Sequence, residues 1–138
     1  MALPLGKRET QMAWNCTLSG IVLDCADAGA LADFYHCLLG WPREEAGPGW
    51  AALASPMGFT LAFQAVPDYT PPVWPWSAGV QNQMLHLDWH VQDLEAAVAF
   101  ACSCGAVLAP AQYFATSRTL LDPAGHPFCL DNGQPEPK

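Results

Sequence analysis

Basic residues are scarce in this sequence. Five Lys and Arg face thirteen Asp and Glu among 138 residues, and the formal net charge is −8. Only Arg118 is basic between Arg43 and Lys138. Because contact with nucleic acid phosphates requires clustered Lys and Arg, this scarcity excludes nucleic acid as a partner. The acidic balance favours a cationic or neutral partner.

Long apolar runs and an export signature are also lacking. No stretch long enough to span a bilayer is free of Gly, Pro and charge, so we expect no membrane contact. Lys7 and Arg8 are followed by Glu9 rather than by an apolar segment, which predicts a cytoplasmic location. In that reducing compartment we expect every cysteine to be unpaired, with a disulfide framework as the alternative. The six cysteines are Cys16, Cys25, Cys37, Cys102, Cys104 and Cys129.

The sequence contains an internal repeat of about 66 residues. Asp27 and Asp93 each precede an apolar stripe of helical period, where a carboxylate can cap the first turn. Gly40 and Gly105 follow the two stripes, as left-handed helix ends require. Each half therefore predicts one helix behind a leading strand.

A matching pair of turns extends the repeat. Ser55-Pro56-Met57-Gly58 in the first half corresponds to Asp122-Pro123-Ala124-Gly125 in the second, and a short apolar strand follows each. Each half thus predicts a βαβββ module. The predicted strands are 19–25, 41–45, 50–54 and 59–65 around helix 28–39, and 84–91, 106–109, 117–121 and 126–131 around helix 94–104.

The repeat also predicts the domain organisation. Residues 66–83 between the halves are too rich in proline for a central strand. Each half alone is too small to bury a core well. We therefore expect one domain over 18–133, with modules 18–65 and 84–133 joined by the connector 66–83. Residues 1–17 match neither half and form an N-terminal extension.

These residues resemble the vicinal-oxygen-chelate superfamily, which includes glyoxalase I, extradiol dioxygenases and bleomycin-resistance proteins. The resemblance covers roughly residues 18–133 and is strongest to a glyoxalase-like subgroup. It implies an α+β fold in which two βαβββ modules form curved mixed sheets around a central cavity. The strings that carry it are Leu23-Asp24-Cys25-Ala26-Asp27, Phe34-Tyr35, Leu39-Gly40-Trp41, His86-Leu87-Asp88, Val91-x-Asp93-Leu94 and Asp122-Pro123-Ala124-Gly125-His126-Pro127-Phe128.

The metal ligands of that superfamily are incomplete here. Its metal-using members take four ligands from the first and last strands of the modules, and the matching positions are Gly20, Ala62, His86 and Cys129. Gly20 and Ala62 offer no donor side chain. We therefore expect no metal cofactor. The alternative is a divalent ion held by His86 and Cys129.

Alternation along the strand at 84–91 places His86, Asp88 and His90 on one face, and the repeat pairs Asp24 with His90. These side chains span about 13 Å along the strand, too far for one ion. Asp24, His86 and Asp88 are candidates for acid/base catalysis. The alternatives are a polar pair of His86 with Asp88 in the cavity wall, His90 at the rim, and a nucleophilic pair of Cys129 with His86.

Aromatic side chains and one cation complete the candidate site. Trp74 and Trp76 lie in the connector, where indoles can stack on a planar or cationic ligand, or else cover a sheet edge or an interface. Arg118 can bind a ligand carboxylate, with a surface ion pair as the alternative. The predicted ligand-binding residues are Asp24, Trp74, Trp76, His86, Asp88, His90, Arg118 and Cys129.

Three functional hypotheses follow. The first is a small-molecule binding protein that sequesters an aromatic or cationic compound. The second is a lyase or oxygenase-type enzyme with a non-standard metal site or with metal-free acid/base chemistry. The third is an interaction module whose Trp-rich connector binds a partner chain. Because modules of this superfamily often pair across subunits, the resemblance also implies a homodimer.

Overall fold

The structure is a computed structural model and describes residues 15–138. Most of the predicted N-terminal extension, residues 1–14, lies outside the described residues. The elements follow the predicted order of two α+β modules, which confirms the fold class. They are β1 (Gly20–Cys25), α1 (Ala28–Leu39), β2 (Trp50–Ala54), β3 (Thr60–Ala65), β4 (Leu87–His90), α2 (Leu94–Cys104), β5 (Val107–Leu108), β6 (Ser117–Leu121) and β7 (Pro127–Asp131).

Both helices begin at the predicted aspartates. Asp27 accepts a hydrogen bond from the Ala30 backbone N–H at 3.0 Å, and Asp93 accepts one from Ala96 at 3.0 Å. α1 ends at Gly40, whose φ of 68° is left-handed. The repeat is therefore present in the cap geometry as well as in the sequence.

Each module contributes one mixed sheet. The first has the order β1-β3-β2 and the second β4-β7-β6-β5, and in both the leading strand pairs in parallel with the last one. Two predicted boundaries are wrong. The segment 41–45 forms only an isolated bridge from Arg43 to Leu53, and β4 begins at Leu87 rather than at 84. Prolines and glycines around 42–49 interrupt regular pairing at the first of these places.

The two equivalent turns use the same hydrogen bonds. The Ser55 hydroxyl accepts from the backbone N–H groups of Met57 and Phe59, and Asp122 Oδ1 accepts from those of Ala124 and His126. Asp122 Oδ2 additionally accepts from the Tyr35 hydroxyl at 2.8 Å. That bond crosses from one module to the other, so the second turn also holds the modules together.

The core lies where the first helix meets both modules. Tyr35 on α1 stacks on Phe63 of β3, with ring centroids 5.5 Å apart, while Phe34 lies 5.9 Å from Phe128 of β7. All four rings are at most 2% exposed. Phe100, which the repeat aligns with Phe34, is instead 50% exposed. Of the two helices, therefore, only α1 contributes rings to this aromatic core.

The prediction that every cysteine is unpaired is wrong for Cys37 and Cys104. These residues form a disulfide between α1 and α2, with Cα atoms 5.8 Å apart, a separation typical of disulfides. The spacing predicted two helices but not that their ends pack together. The other four cysteines are unpaired. Among residues 15–138, neither helix is long and apolar enough to cross a membrane.

Candidate functional site

A hollow of about 430 Å³ lies over one face of the second sheet. Its floor consists of side chains that alternate outward from three neighbouring strands, because every second residue of a strand faces the same side. β7 lies between β4 and β6, so it contributes the middle of the floor. The floor residues are His86 and Asp88, Pro127, Cys129 and Asp131, and Ser117 and Thr119.

Aromatic rings form the walls of this hollow. Trp74 and Trp76 come from the connector, as predicted for a ligand site, while Tyr113 and Phe114 come from the loop before β6. Trp74 contacts Tyr113 edge-on, with ring centroids 5.9 Å apart. Trp76 is 75% exposed and therefore has free ring surface. The hollow thus has apolar walls above a polar floor.

Three polar side chains of the floor form a compact cluster. His86 Nε2 lies 3.1 Å from Asp88 Oδ1, which matches the predicted polar pair. One donor atom from each of His86, Asp88 and Cys129 lies within 4.8 Å of the others. Burial raises the pKa of the Cys129 thiol, and the Asp88 carboxylate raises it further. A thiol held in its neutral form is a poor nucleophile.

The donor atoms of the cluster are of the kinds that bind divalent metal ions. Imidazole nitrogen, carboxylate oxygen and thiolate sulfur are all ligands of zinc and similar divalent ions, and three protein ligands leave a position open. His86 and Cys129 are the two of the four superfamily ligand positions that carry a donor side chain here, and Asp88 joins them. The cluster therefore fits a divalent ion chemically, with a donor set that differs from the predicted pair.

Asp24 lies outside this hollow. It lines a second hollow of about 550 Å³ between β1 and the connector. Its carboxylate accepts from Gln64 Nε2 at 3.2 Å, and its backbone carbonyl accepts from His126 Nε2 at 2.6 Å. Gln83 lines both hollows. Asp24 and His86 thus line different hollows, and the connector residue Gln83 borders both.

His90 and Arg118 also lie outside the lining of the first hollow. His90 faces Asp131 at 3.5 Å, with its side chain 65% exposed, in the predicted rim position. Arg118 pairs with Glu95 at 3.1 Å, which is the surface ion pair that was the alternative. Its Nη1 also donates to the Phe114 carbonyl at 3.1 Å. Arg118 therefore supports the wall of the hollow from behind.

Several lining residues were not among the predicted site residues. Ser117 lies on the same face of β6 as Thr119, as strand alternation predicts. Gln83 and Gln112 come from loops, for which the sequence gives no periodic signal. Gln112 bonds the backbone of Ala109 and Thr119 and has a structural role.

The structure resembles several solved proteins in its fold. A glyoxalase/bleomycin resistance protein/dioxygenase family enzyme from Burkholderia phytofirmans PsJN is 20% identical and has a TM-score of 0.64, over 86% of this chain and 100% of that chain. A glyoxalase-related enzyme from Fulvimarina pelagi is 20% identical with a TM-score of 0.64, over 85% of this chain and 88% of that chain.

Fosfomycin resistance protein FosX from Listeria monocytogenes, solved as a mutant complexed with Mn(II) and 1S,2S-dihydroxypropylphosphonic acid, is 12% identical. Its TM-score is 0.64, over 86% of this chain and 90% of that chain. At these identities the likeness concerns the fold. The sequence has no significant match among curated proteins.

A sequence profile gives the stronger evidence of family. The profile described as "Glyoxalase-like domain" matches residues 20–130. The match begins at the first residue of β1 and ends one residue before the end of β7, so it includes both modules and the connector. The chain belongs to the glyoxalase-like domain family.

Proposed function

We propose that this protein binds and sequesters an aromatic, cationic small molecule in the hollow over the second sheet. The observation that carries the proposal is the combination of four aromatic rings in the walls with acidic side chains in the floor. A volume of about 430 Å³ lies within the range of small-molecule sites. Trp74 and Trp76 would stack on the ligand, since indole faces attract planar and cationic groups.

The charges of the hollow favour a cation. Asp88 and Asp131 line it, and its lining contains no Lys or Arg among the described residues. Arg118, the nearest cation in the sequence, is bonded to Glu95 and to backbone carbonyls outside the lining. The FosX complex contains a phosphonic acid with Mn(II). An anion of that kind would meet the Asp88 and Asp131 carboxylates here with no Lys or Arg in the described lining, so we expect a ligand of opposite charge.

Calorimetric titration tests the proposal. Proflavine is a planar aromatic cation, and 8-anilinonaphthalene-1-sulfonate is an aromatic anion. We expect proflavine to bind more tightly than the anion, and Trp76→Ala to weaken proflavine binding about tenfold by removing a stacking surface. Trp50→Ala is the matched control because Trp50 lies on β2 outside the hollow. Equal binding of both dyes, or equal effects of both substitutions, would contradict the proposal.

Metal-dependent catalysis is the second candidate function, supported by the cluster of His86, Asp88 and Cys129. A divalent ion there would supply Lewis-acid activation of a bound ligand. Elemental analysis of protein purified without chelator tests it. The candidate requires a stoichiometric ion that His86→Ala removes and that His90→Ala, outside the cluster, retains. Metal-free acid/base chemistry by Asp88 and His86 is the remaining enzymatic alternative, whereas Asp24 is separated from them.

The predicted homodimer and cytoplasmic location stay predictions. β1 and β4 are edge strands of their sheets, and such edges can pair with a second chain. Val22 on β1 is 49% exposed, and Leu85 just before β4 is 67% exposed. These exposed apolar side chains support pairing of the edges in a dimer. Light scattering at several concentrations would give the molecular mass that decides between one chain and two.

A further inference from the structure

Gln83 in the connector borders two hollows at once. It is the last connector residue, and its side chain belongs to the lining of both hollows. On one side lie Trp74, Trp76 and the His86 cluster, and on the other lies Asp24. Gln83 therefore lies where the two hollows meet.

The amide of Gln83 differs from the neighbouring amides in its hydrogen bonding. Asn82 bonds the backbone of Ser77 in both directions, and Gln81 donates to the Asn82 carbonyl. Gln112, the other amide that lines the first hollow, is bonded to the backbone through both its oxygen and its nitrogen. Gln83 Oε1 is buried and accepts no hydrogen bond from any described residue.

An unbonded buried carbonyl is unfavourable, because its desolvation is not compensated. The terminal torsion of a glutamine is broad and roughly two-fold. A half-turn about this torsion exchanges the positions of the Gln83 oxygen and nitrogen, and it breaks no hydrogen bond of Oε1 because none exists within the described protein. A ligand that offers a donor there would gain a bond that the free protein leaves unmade.

The acidic side chains nearby determine whether the ligand bonds the oxygen or the nitrogen of the Gln83 amide. Asp88 and Asp131 line the same hollow, so a bound cation and its N–H groups lie among acceptors. We propose that Gln83 is a specificity-determining residue that accepts a hydrogen bond from an N–H group of the ligand. This inference rests on the proposed binding function and adds to it that the cation carries hydrogen-bond donors.

A pair of dyes separates this role from stacking and charge. Proflavine carries two exocyclic amino groups, and acridine orange is the same planar cation with those groups fully methylated. Both cations carry the ring N–H, so the pair tests a bond to the exocyclic amino groups alone. We expect wild-type protein to prefer proflavine about tenfold, since a site that bonds an exocyclic amino group discriminates against the analogue in which that group is methylated. Gln83→Leu should weaken proflavine binding about tenfold and leave acridine orange unchanged. Gln83→Glu, which keeps an acceptor, should retain the preference.

The outcomes distinguish this inference from the binding function. If both dyes bind and Trp76→Ala weakens both, but Gln83→Leu changes neither, the role of Gln83 is overturned and the binding function stands. Equal weakening of both dyes by Gln83→Leu indicates packing alone and also overturns it. If neither dye binds wild-type protein, both proposals fail. Thermal unfolding of each variant verifies that it is folded before titration.

Discussion

Asp122 joins its own turn in the second module to Tyr35 in the first. It is 4% exposed, it accepts from two backbone N–H groups of its own turn, and it accepts from the Tyr35 hydroxyl of the other module. Burial raises the pKa of the Asp122 carboxyl above its ordinary value, and the hydrogen bonds lower it less. Burial likewise raises the pKa of Tyr69 to about 12. The junction between the modules therefore holds a carboxyl whose ionisation is costly.

The raised pKa of Asp122 predicts a sign for the pH dependence of stability. A carboxyl with a raised pKa in the folded state adds stability below its unfolded pKa, and this stability is lost as pH rises through the folded pKa. Asp122→Asn removes the titration while keeping a side-chain oxygen. We expect the free energy of unfolding of wild type, minus that of the variant, to fall from about pH 4 to about pH 8. Urea unfolding across this range measures it, and a difference that rises with pH contradicts it.

At the scale of elements, the two helices have the same caps but different burial. α1 buries Leu31, Phe34 and Tyr35, whereas α2 buries only Leu94 and Ala101. A helix with little buried apolar surface depends more on its local hydrogen bonds, because most helical stability in proteins comes from packing. The equivalent caps therefore offer a matched comparison within one chain.

Removal of each cap should lower stability. Asp27→Ala and Asp93→Ala each remove one side-chain acceptor from a first helical turn, and we expect each to reduce the free energy of unfolding by about 1 kcal/mol. Asp27→Asn and Asp93→Asn keep the cap without the charge and should lower the free energy of unfolding by less. Chemical unfolding measures all four variants. If the Asn variants lose as much as the Ala variants, charge rather than capping stabilises these helix ends.

The sequence allowed the elements to be predicted wherever two signals coincided. Cap, period and terminal glycine together placed both helices at their observed bounds. Strand 41–45 had an apolar start but no repeat partner of equal regularity, and it became an isolated bridge. The floor of the hollow follows from alternation once β4, β6 and β7 are neighbours. The amide of Gln83 and the rings of the 113–114 loop could not be placed, since loop conformation has no sequence period.

For the molecule as a whole, the main difference between the prediction and the structure lies in the connector. The family resemblance led us to expect one central cavity, with Asp24 and His86 as candidate residues in its walls. Residues 66–83 instead contribute lining to two hollows, and each of these residues lies in a different one. The offset of the repeat carries no information about this segment, because it has no counterpart in the other half. The sequence thus predicted residues that line the hollows, but it did not predict which hollow each residue lines.

Besides the connector itself, the disulfide is the one covalent cross-link between the modules among the described residues. It closes a loop with a sequence separation of 67 residues between Cys37 and Cys104, and a loop of this length constrains the unfolded chain by about 4 kcal/mol in the chain-entropy estimate. The loop contains the whole connector, so the disulfide also restricts the segment that lines both hollows. The two bonded cysteines lie on helices that pack against each other.

Loss of this link should therefore destabilise the whole molecule. We expect Cys37→Ser to lower the free energy of unfolding by an amount approaching about 4 kcal/mol, and a reductant to have the same effect on wild type. Cys102→Ser is the matched control, because Cys102 is an exposed, unpaired thiol on the same helix as Cys104. Urea unfolding with and without reductant measures both variants. Equal stability of the two variants under oxidising conditions would mean that packing of the helices, rather than the disulfide, holds the modules together.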